Sequence, residues 1–436
     1  MWAILLIMLV AVFAVLSVPQ NVSAKDLSEA EILAGVDARI ERSRKGDGTI
    51  VVQDGAGRRV KGAEVRVQQI RHAFLFGCNV FALGNYPTEA QNRAYADQFA
   101  ALLNYATLPF YWRTFEPEPG KPDYERLQWM ARWCGDHRIR TKGHPLVWHE
   151  AVPDWVPSDL TELERRLEDR VRSIVTRCKG LIDMWDVVNE ATVSSRSDNP
   201  LGRWVNALGP AEAVGRALNW AWESNPGALL VVNDFNVGPE YKALLKDLQR
   251  RGRPLRAIGI QSHMHKGPWP IRRVWSVCET YAPLGLPLHF TEVTVLSGRL
   301  KTDNDWHTYR TEWPTTPEGE REQAVYVEKL YRTLFSHPAV EAITWWDFAD
   351  GGWLGAPAGL VRKDLTPKPV YRRLLKMIKS EWWTQVEGRT DHKGAFPFRG
   401  FYGMYRVVVQ KDGQAVVREI TLSKEGVRRF VITLRT

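Results

Sequence analysis

Two segments of this sequence run apolar and then close on a glutamate: Trp185-Asp186-Val187-Val188-Asn189-Glu190 and Phe290-Thr291-Glu292. Two carboxyl groups brought together from distant parts of a chain suit the cleavage of a glycosidic bond. One, kept protonated, releases the leaving group; the other, ionised, attacks the sugar or activates water. Metal ligation and structural ion pairing are the other uses of such a pair. Further candidates close other segments: His144 and Trp148 in Gly143-His144-Pro145-Leu146-Val147-Trp148-His149, Gln261 and His263 in Gln261-Ser262-His263, and the indoles Trp346 and Trp353. Indole faces stack on the apolar faces of sugars, and imidazoles and amides meet the hydroxyl rim. The plainer alternative for His144 and Gln261 is a satisfied core polar, and for His263-Met264-His265 a metal pair. The chain holds 19 Trp, more than a core needs, which favours carbohydrate stacking. Trp129 and Trp220 fall within helical patterns and read as structural.

These residues need a scaffold that brings strand ends together. Eight short apolar runs recur through the middle of the chain: 74–81, 105–112, 140–148, 181–190, 228–236, 257–264, 287–293 and 342–350. Helical patterns lie between them. The clearest opens at Thr161-x-x-Glu164, read as a capping box, and sets Leu163, Leu167, Val171 and Ile174 on one face. Asp123 to His137 and Glu318 to Phe335 read the same way. Eight strand–helix alternations predict an α/β fold, a (β/α)8 TIM barrel, whose functional residues collect at the C-terminal strand ends. The Asn, Glu, Gln, His and Trp named above stand there.

The remaining sequence is expected to form a small flanking all-β module. Residues 49–69 show a hairpin signal around Asp54-Gly55-Ala56-Gly57, and residues 399–436 show turns at Lys411-Asp412-Gly413 and Lys424-Glu425-Gly426. Neither piece has enough strands to stand alone, so the two are expected to pair into one sandwich. The expected division is a signal peptide at 1–24, an N-terminal segment at 25–73, the barrel at 74–384 and a C-terminal β-rich module at 385–436. The leader is an apolar run closing on Val22-Ser23-Ala24, small residues at the positions a signal peptidase reads. An uncleaved anchor is the alternative. A secreted protein, extracellular or periplasmic, is expected, with no stable membrane insertion after cleavage. Of Cys78, Cys134, Cys178 and Cys278, the second and third could form a disulfide; free buried thiols are the alternative. The net charge of +9 is concentrated in the last 76 residues, which suits a solvated face or an anionic surface. No nucleic-acid-binding motif accompanies it, so no nucleic-acid partner is expected. No cofactor and no metal are expected, and a monomer is.

Across roughly residues 74–380 the sequence resembles glycoside hydrolase family 10, the endo-β-1,4-xylanase family, as a divergent member. Gly143 to His149 is similar to the family's third-strand motif, with Pro145 where Thr is usual. Trp185 to Ala191 is similar to its acid/base motif, Asn233-Asp234-Phe235-Asn236 to its fifth-strand segment, and Gln261-Ser262-His263 to its sixth-strand Gln-x-His. Thr291-Glu292 resembles its nucleophile strand, and Trp346 and Trp353 the tryptophans that wall its site. The resemblance implies a retaining hydrolase of a polysaccharide or oligosaccharide, with Glu190 as general acid/base and Glu292 as nucleophile. Asn189 is then expected to hold the sugar 2-hydroxyl. His263 is expected to keep Glu292 ionised while Glu190 keeps its proton. His144, Trp148 and Gln261 are expected to line the first donor subsite with the tryptophans.

The sugar-reading surface departs from the family. Thr107, Leu108 and Tyr111 stand where Glu, Asn and Lys bind xylose, Thr294 replaces the Asp that steadies the neighbouring His, and Phe235 replaces a Tyr. Xylan is the family default, and another β-linked glycan or a substituted xylan competes with it. A non-catalytic carbohydrate-binding barrel and a metal-dependent hydrolase barrel are the readings from other classes.

Overall fold

The computed structural model describes residues 27–434; the leader read over 1–24 lies outside them. Eight parallel strands close into a barrel: Leu75–Asn79, Tyr105–Pro109, Arg140–His144, Met184–Asn189, Leu229–Asp234, Ala257–Ile260, Leu288–Val295 and Val340–Trp345, the last pairing back on the first. Each lies in one of the eight runs, except that the seventh ends two residues later and the eighth begins two residues earlier. In the sixth run a second short strand, His263–Met264, pairs with Thr294 and Val295 and lengthens the seventh strand's ladder at the mouth. Purely parallel strands are buried on both faces, which is why they read as continuous apolar runs rather than alternations.

The helices between them bury one stripe each. In Leu160–Cys178 the residues Leu163, Leu167, Val171 and Ile174 are buried, as their spacing predicts. The expected capping box at Thr161 is not used. Asp159 caps this helix instead, accepting from the Glu162 N–H, and Thr161 lies inside the first turn. A carboxylate is at least as good a cap as a hydroxyl and gains from the helix dipole. Trp220 is buried as expected of a structural residue, whereas Trp129 is 44% exposed on its helix. All four cysteines are free and buried, so the Cys134–Cys178 disulfide is not formed. No helix among the described residues is long and apolar enough to cross a membrane.

Residues on either side of the barrel build two packed sheets. One orders Ala395–Phe401, Lys45–Gln53 and Arg429–Thr433; the other orders Gln385–Arg389, Glu64–His72, Gly403–Lys411 and Gln414–Leu422. Both mix strands from the two ends of the chain around a shared core that includes Ile50, Val65, Val67, Tyr405, Val407 and Ile432. Two expected hairpins are corrected here. The Asp54 turn forms, with the carboxylate accepting from the Ala56 and Arg58 N–H groups, and the chain folds back as far as one antiparallel bridge between Gln53 and Arg59, but the strands that continue from it lie in opposite sheets. The Lys424-Glu425-Gly426 connection likewise crosses from one sheet to the other. Only the Asp412-Gly413 turn joins adjacent antiparallel strands; both residues have positive φ, as a two-residue hairpin turn requires.

Two helices that the strand-based reading passed over, Glu29–Ala34 and Val36–Arg44, brace the barrel. Ser28 and Glu31 form a reciprocal capping box on the first, a signal present in the sequence. Ile32 packs on Ile271 and Trp275, and the Arg44 guanidinium donates to the carbonyls of Phe335, His337 and Val340.

Candidate active site

At the C-terminal mouth of the barrel lies a cleft of about 1240 Å³. Glu190, Glu292, Asn189, His144, Trp148, Gln261, His263, Trp346 and Trp353 all line it. All but Trp353, which sits in a short turn eight residues past the eighth strand, come from a strand's C-terminal part or from the first residues beyond it.

Glu190 follows the last residue of the fourth strand with φ of +57°, a left-handed conformation that a non-glycine residue adopts only when its surroundings hold it there. Its N–H donates to the Asn233 carbonyl at 2.8 Å. The carboxyl accepts from Trp148 Nε1 at 3.0 Å on Oε2, and from Gln261 Nε2 at 2.9 Å and Asn189 Nδ2 at 3.3 Å on Oε1. Burial pushes this carboxyl up to about 8; the Gln261 hydrogen bond opposes the rise and the Glu292 charge adds to it.

Glu292 is in the opposite state. It is buried, and burial by itself raises a carboxyl, but the His263 hydrogen bond and the nearby basic groups of His144, His263 and Lys142 outweigh it. The net effect holds Glu292 below its ordinary value. His263 Nε2 lies 2.9 Å from Glu292 Oε2, and Asn233 Nδ2 donates to Oε1 at 2.6 Å. The same Asn233 amide donates to Asn189 Oδ1 at 2.8 Å, so a chain of amides links the two carboxyls. Thr294, where the family has Asp, takes over the steadying contact: its Oγ1 lies 2.8 Å from His263 Nδ1.

Aromatic rings close the walls. Trp346 packs edge-on to His144 and His263, and Trp353 lies 4.6 Å from His263 between ring centroids. Trp306 stacks on Trp353. Tyr111 lies against Phe81, His144 and Trp148 and lines the cleft. Leu108 does not line it, although it stands where the resemblance puts a xylose-binding residue. It is fully buried in the main core, and Thr107 is buried beside it. Strand alternation explains the difference, because only Tyr111, two residues past the strand, turns over the mouth.

Among the described residues, the His and carboxylate group close enough to consider for a metal is His149, Glu150 and Glu190, with ligand atoms within 4.8 Å. Both Glu190 oxygens already accept from Trp148, Gln261 and Asn189, so we assign no ion there. His263 has both ring nitrogens engaged, Nδ1 with Thr294 and Nε2 with Glu292.

Three contributors carried no role in the sequence reading: Asn233, which bridges the carboxyls, and Lys142 and Asp186, which lie beneath them. A Lys and an Asp inside apolar strands were the available signal, since such residues are rarely buried unless paired.

A closed eight-stranded barrel with two unlike carboxyls facing one aromatic cleft is a scaffold for acid–base chemistry on a sugar. The sequence model of Glycosyl hydrolase family 10 matches residues 69–377, and the chain belongs to that family. It is 30% identical over 381 residues to Endo-1,4-beta-xylanase 1 of Arabidopsis thaliana, covering 84% of this chain and 36% of that protein. It is equally 30% identical over 387 residues to Anti-sigma-I factor RsgI6 of Acetivibrio thermocellus, covering 86% and 46%. The chain thus spans less than half the length of these two relatives. The solved xylanase 10B from Thermotoga petrophila, in complex with xylobiose, shares the fold with a TM-score of 0.60 at 24% identity, over 70% of this chain and 95% of that one.

Proposed function

We propose that this chain is a secreted, retaining glycosidase that cleaves β-1,4-linked glycans of xylan type, with Glu190 as general acid/base and Glu292 as nucleophile. The observation that carries the reading is the split between the two carboxyls: one cleft holds a Glu raised to about 8 and a Glu held below its ordinary value. That is the division of labour a double displacement needs. Relatives named endo-1,4-β-xylanases support the substrate class. The division into a barrel at 74–384 and a β module drawn from both ends belongs to the same proposal. The test is a screen of β-linked glycans with products identified by mass and linkage, and the first-formed anomer read by proton NMR. A β-anomer from a β-1,4-glycan is expected; an α-anomer first, or no turnover of any glycan, overturns the reading.

The pH profile follows from the same split. Glu190 works protonated, so kcat/KM falls as pH rises through about 8. Glu292 works ionised, so the acidic limb lies below the ordinary carboxylate range. A profile with no basic limb by pH 10, or with an acidic limb above the ordinary carboxylate range, would contradict the assignment.

Tyr111 sets the substrate preference in this proposal, because it fills the place of a xylose-binding Lys and presents a ring. Activity on plain linear xylan is expected at least about tenfold below that on the best substrate, about 1.4 kcal/mol of transition-state binding. Tyr111→Lys is expected to narrow that gap. Leu108→Asn, in contrast, buries an amide in the core and should cost roughly 2–4 kcal/mol of stability without improving xylan cleavage. Kinetics on both substrates and thermal melts separate the two effects.

A further inference from the structure

The barrel interior changes character along its axis. At the strand starts it is apolar, with Leu75, Tyr105, Met184, Val231, Ala257 and Ala342 in one cluster. Nearer the cleft stand Lys142 and Asp186, both side chains wholly withdrawn from solvent, with Nζ and Oδ2 2.6 Å apart. Barrel interiors are ordinarily filled by branched apolar residues. A buried ion pair loses its hydration, and apolar residues of the same volume often serve stability equally well. Fold stability therefore gives no reason for a lysine here.

The groups above it do. The Asp186 oxygen that holds Lys142 also lies 2.8 Å from His144 Nδ1, and His144 Nε2 stands 3.9 Å from Glu292 Oε1. Around Glu292 are Tyr111, Glu190 and Asp347 on one side of the charge balance, and His144, His263 and Lys142 on the other. Glu190 and Asp347 are raised by burial to about 8 and about 7, so they repel Glu292 only above those values. His289, buried among the same residues, is pushed down to about 3 by burial and by Lys142, and so adds no charge at working pH. Asp186 alone beneath Glu292 would place two carboxylates in one dry space, where like charges are strongly unfavourable. Lys142 cancels that charge while leaving Asp186 free to orient His144.

We propose that Lys142 is a positioning residue for Glu292, acting through the Asp186–His144 pair and by its own charge to sustain the nucleophile. The inference rests on the reading of Glu292 as nucleophile. It is tested on the full chain by the rate at which a 2-fluoroglycoside inactivator labels Glu292, measured against pH. Lys142→Met should move the acidic limb up by about one pH unit, roughly a tenfold loss below it. Lys142→Arg should return the limb toward the wild-type position. Asp186→Asn keeps the side-chain shape and removes the opposing charge, so its limb should move down even where Lys142→Met fails to fold. The opposite signs exclude a merely structural role, which would lower amplitude in both without moving either limb. An unmoved limb in folded Lys142→Met, or an unmoved or raised limb in Asp186→Asn, overturns the inference. Label found on a residue other than Glu292 instead overturns the nucleophile assignment.

Discussion

Glu292→Gln is expected to reduce turnover of every glycosidic substrate by on the order of 10⁴-fold or more while leaving the fold intact. The amide keeps the size of the side chain and offers its one oxygen to Asn233 and its N–H to His263 Nε2, the groups that contact the two carboxylate oxygens at 2.6 and 2.9 Å. What disappears is the charge that forms the glycosyl-enzyme bond. In the wild type, a 2-fluoroglycoside slows breakdown of that bond, and peptide mapping should find the label on Glu292. Label on another carboxylate, or a variant retaining more than about a tenth of wild-type activity, would overturn the assignment. A melting curve taken alongside separates loss of chemistry from loss of structure.

Removing the Glu190 carboxyl should act unequally on different substrates. Glu190→Ala is expected to lose about 10²–10⁴-fold on glycans, whose leaving groups need a proton, and far less in the first step on activated aryl glycosides. The variant should also accept azide and release a β-glycosyl azide, because the space vacated beside Trp148 and Gln261 faces the anomeric centre in the proposed reaction. Its basic limb should vanish from the pH profile, since the group raised to about 8 is gone. Equal losses on both substrate types, or an unchanged basic limb, would show that Glu190 is not the acid.

The eight-stranded plan was legible because each barrel strand is buried on both faces and therefore reads as a continuous apolar run, and because the runs close on polar residues that need the mouth. Glu190, Glu292 and the seven residues expected beside them were legible for the same reason, and the structure brings all nine to one cleft. The flanking sheets were legible only as strands. Whether the residues around Asp54 fold back as a hairpin or cross between sheets depends on partners more than 300 residues away, such as Phe398 opposite Gly48. Local turn chemistry is the same in both cases.

The sequence by itself determined the barrel and the place of the two glutamates at strand ends, since residue type and strand-end position are local properties. The tertiary structure supplied the physical cause of the unlike carboxyls that the resemblance led us to expect, because that depends on burial and on groups from other strands: Gln261 and Trp148 on Glu190, and His263, His144 and Lys142 on Glu292. It also decided that Leu108 belongs to the core and Tyr111 to the cleft, a matter of side-chain direction at a strand end. Charge states and directions arise from neighbours distant in sequence, and folding is what makes them neighbours.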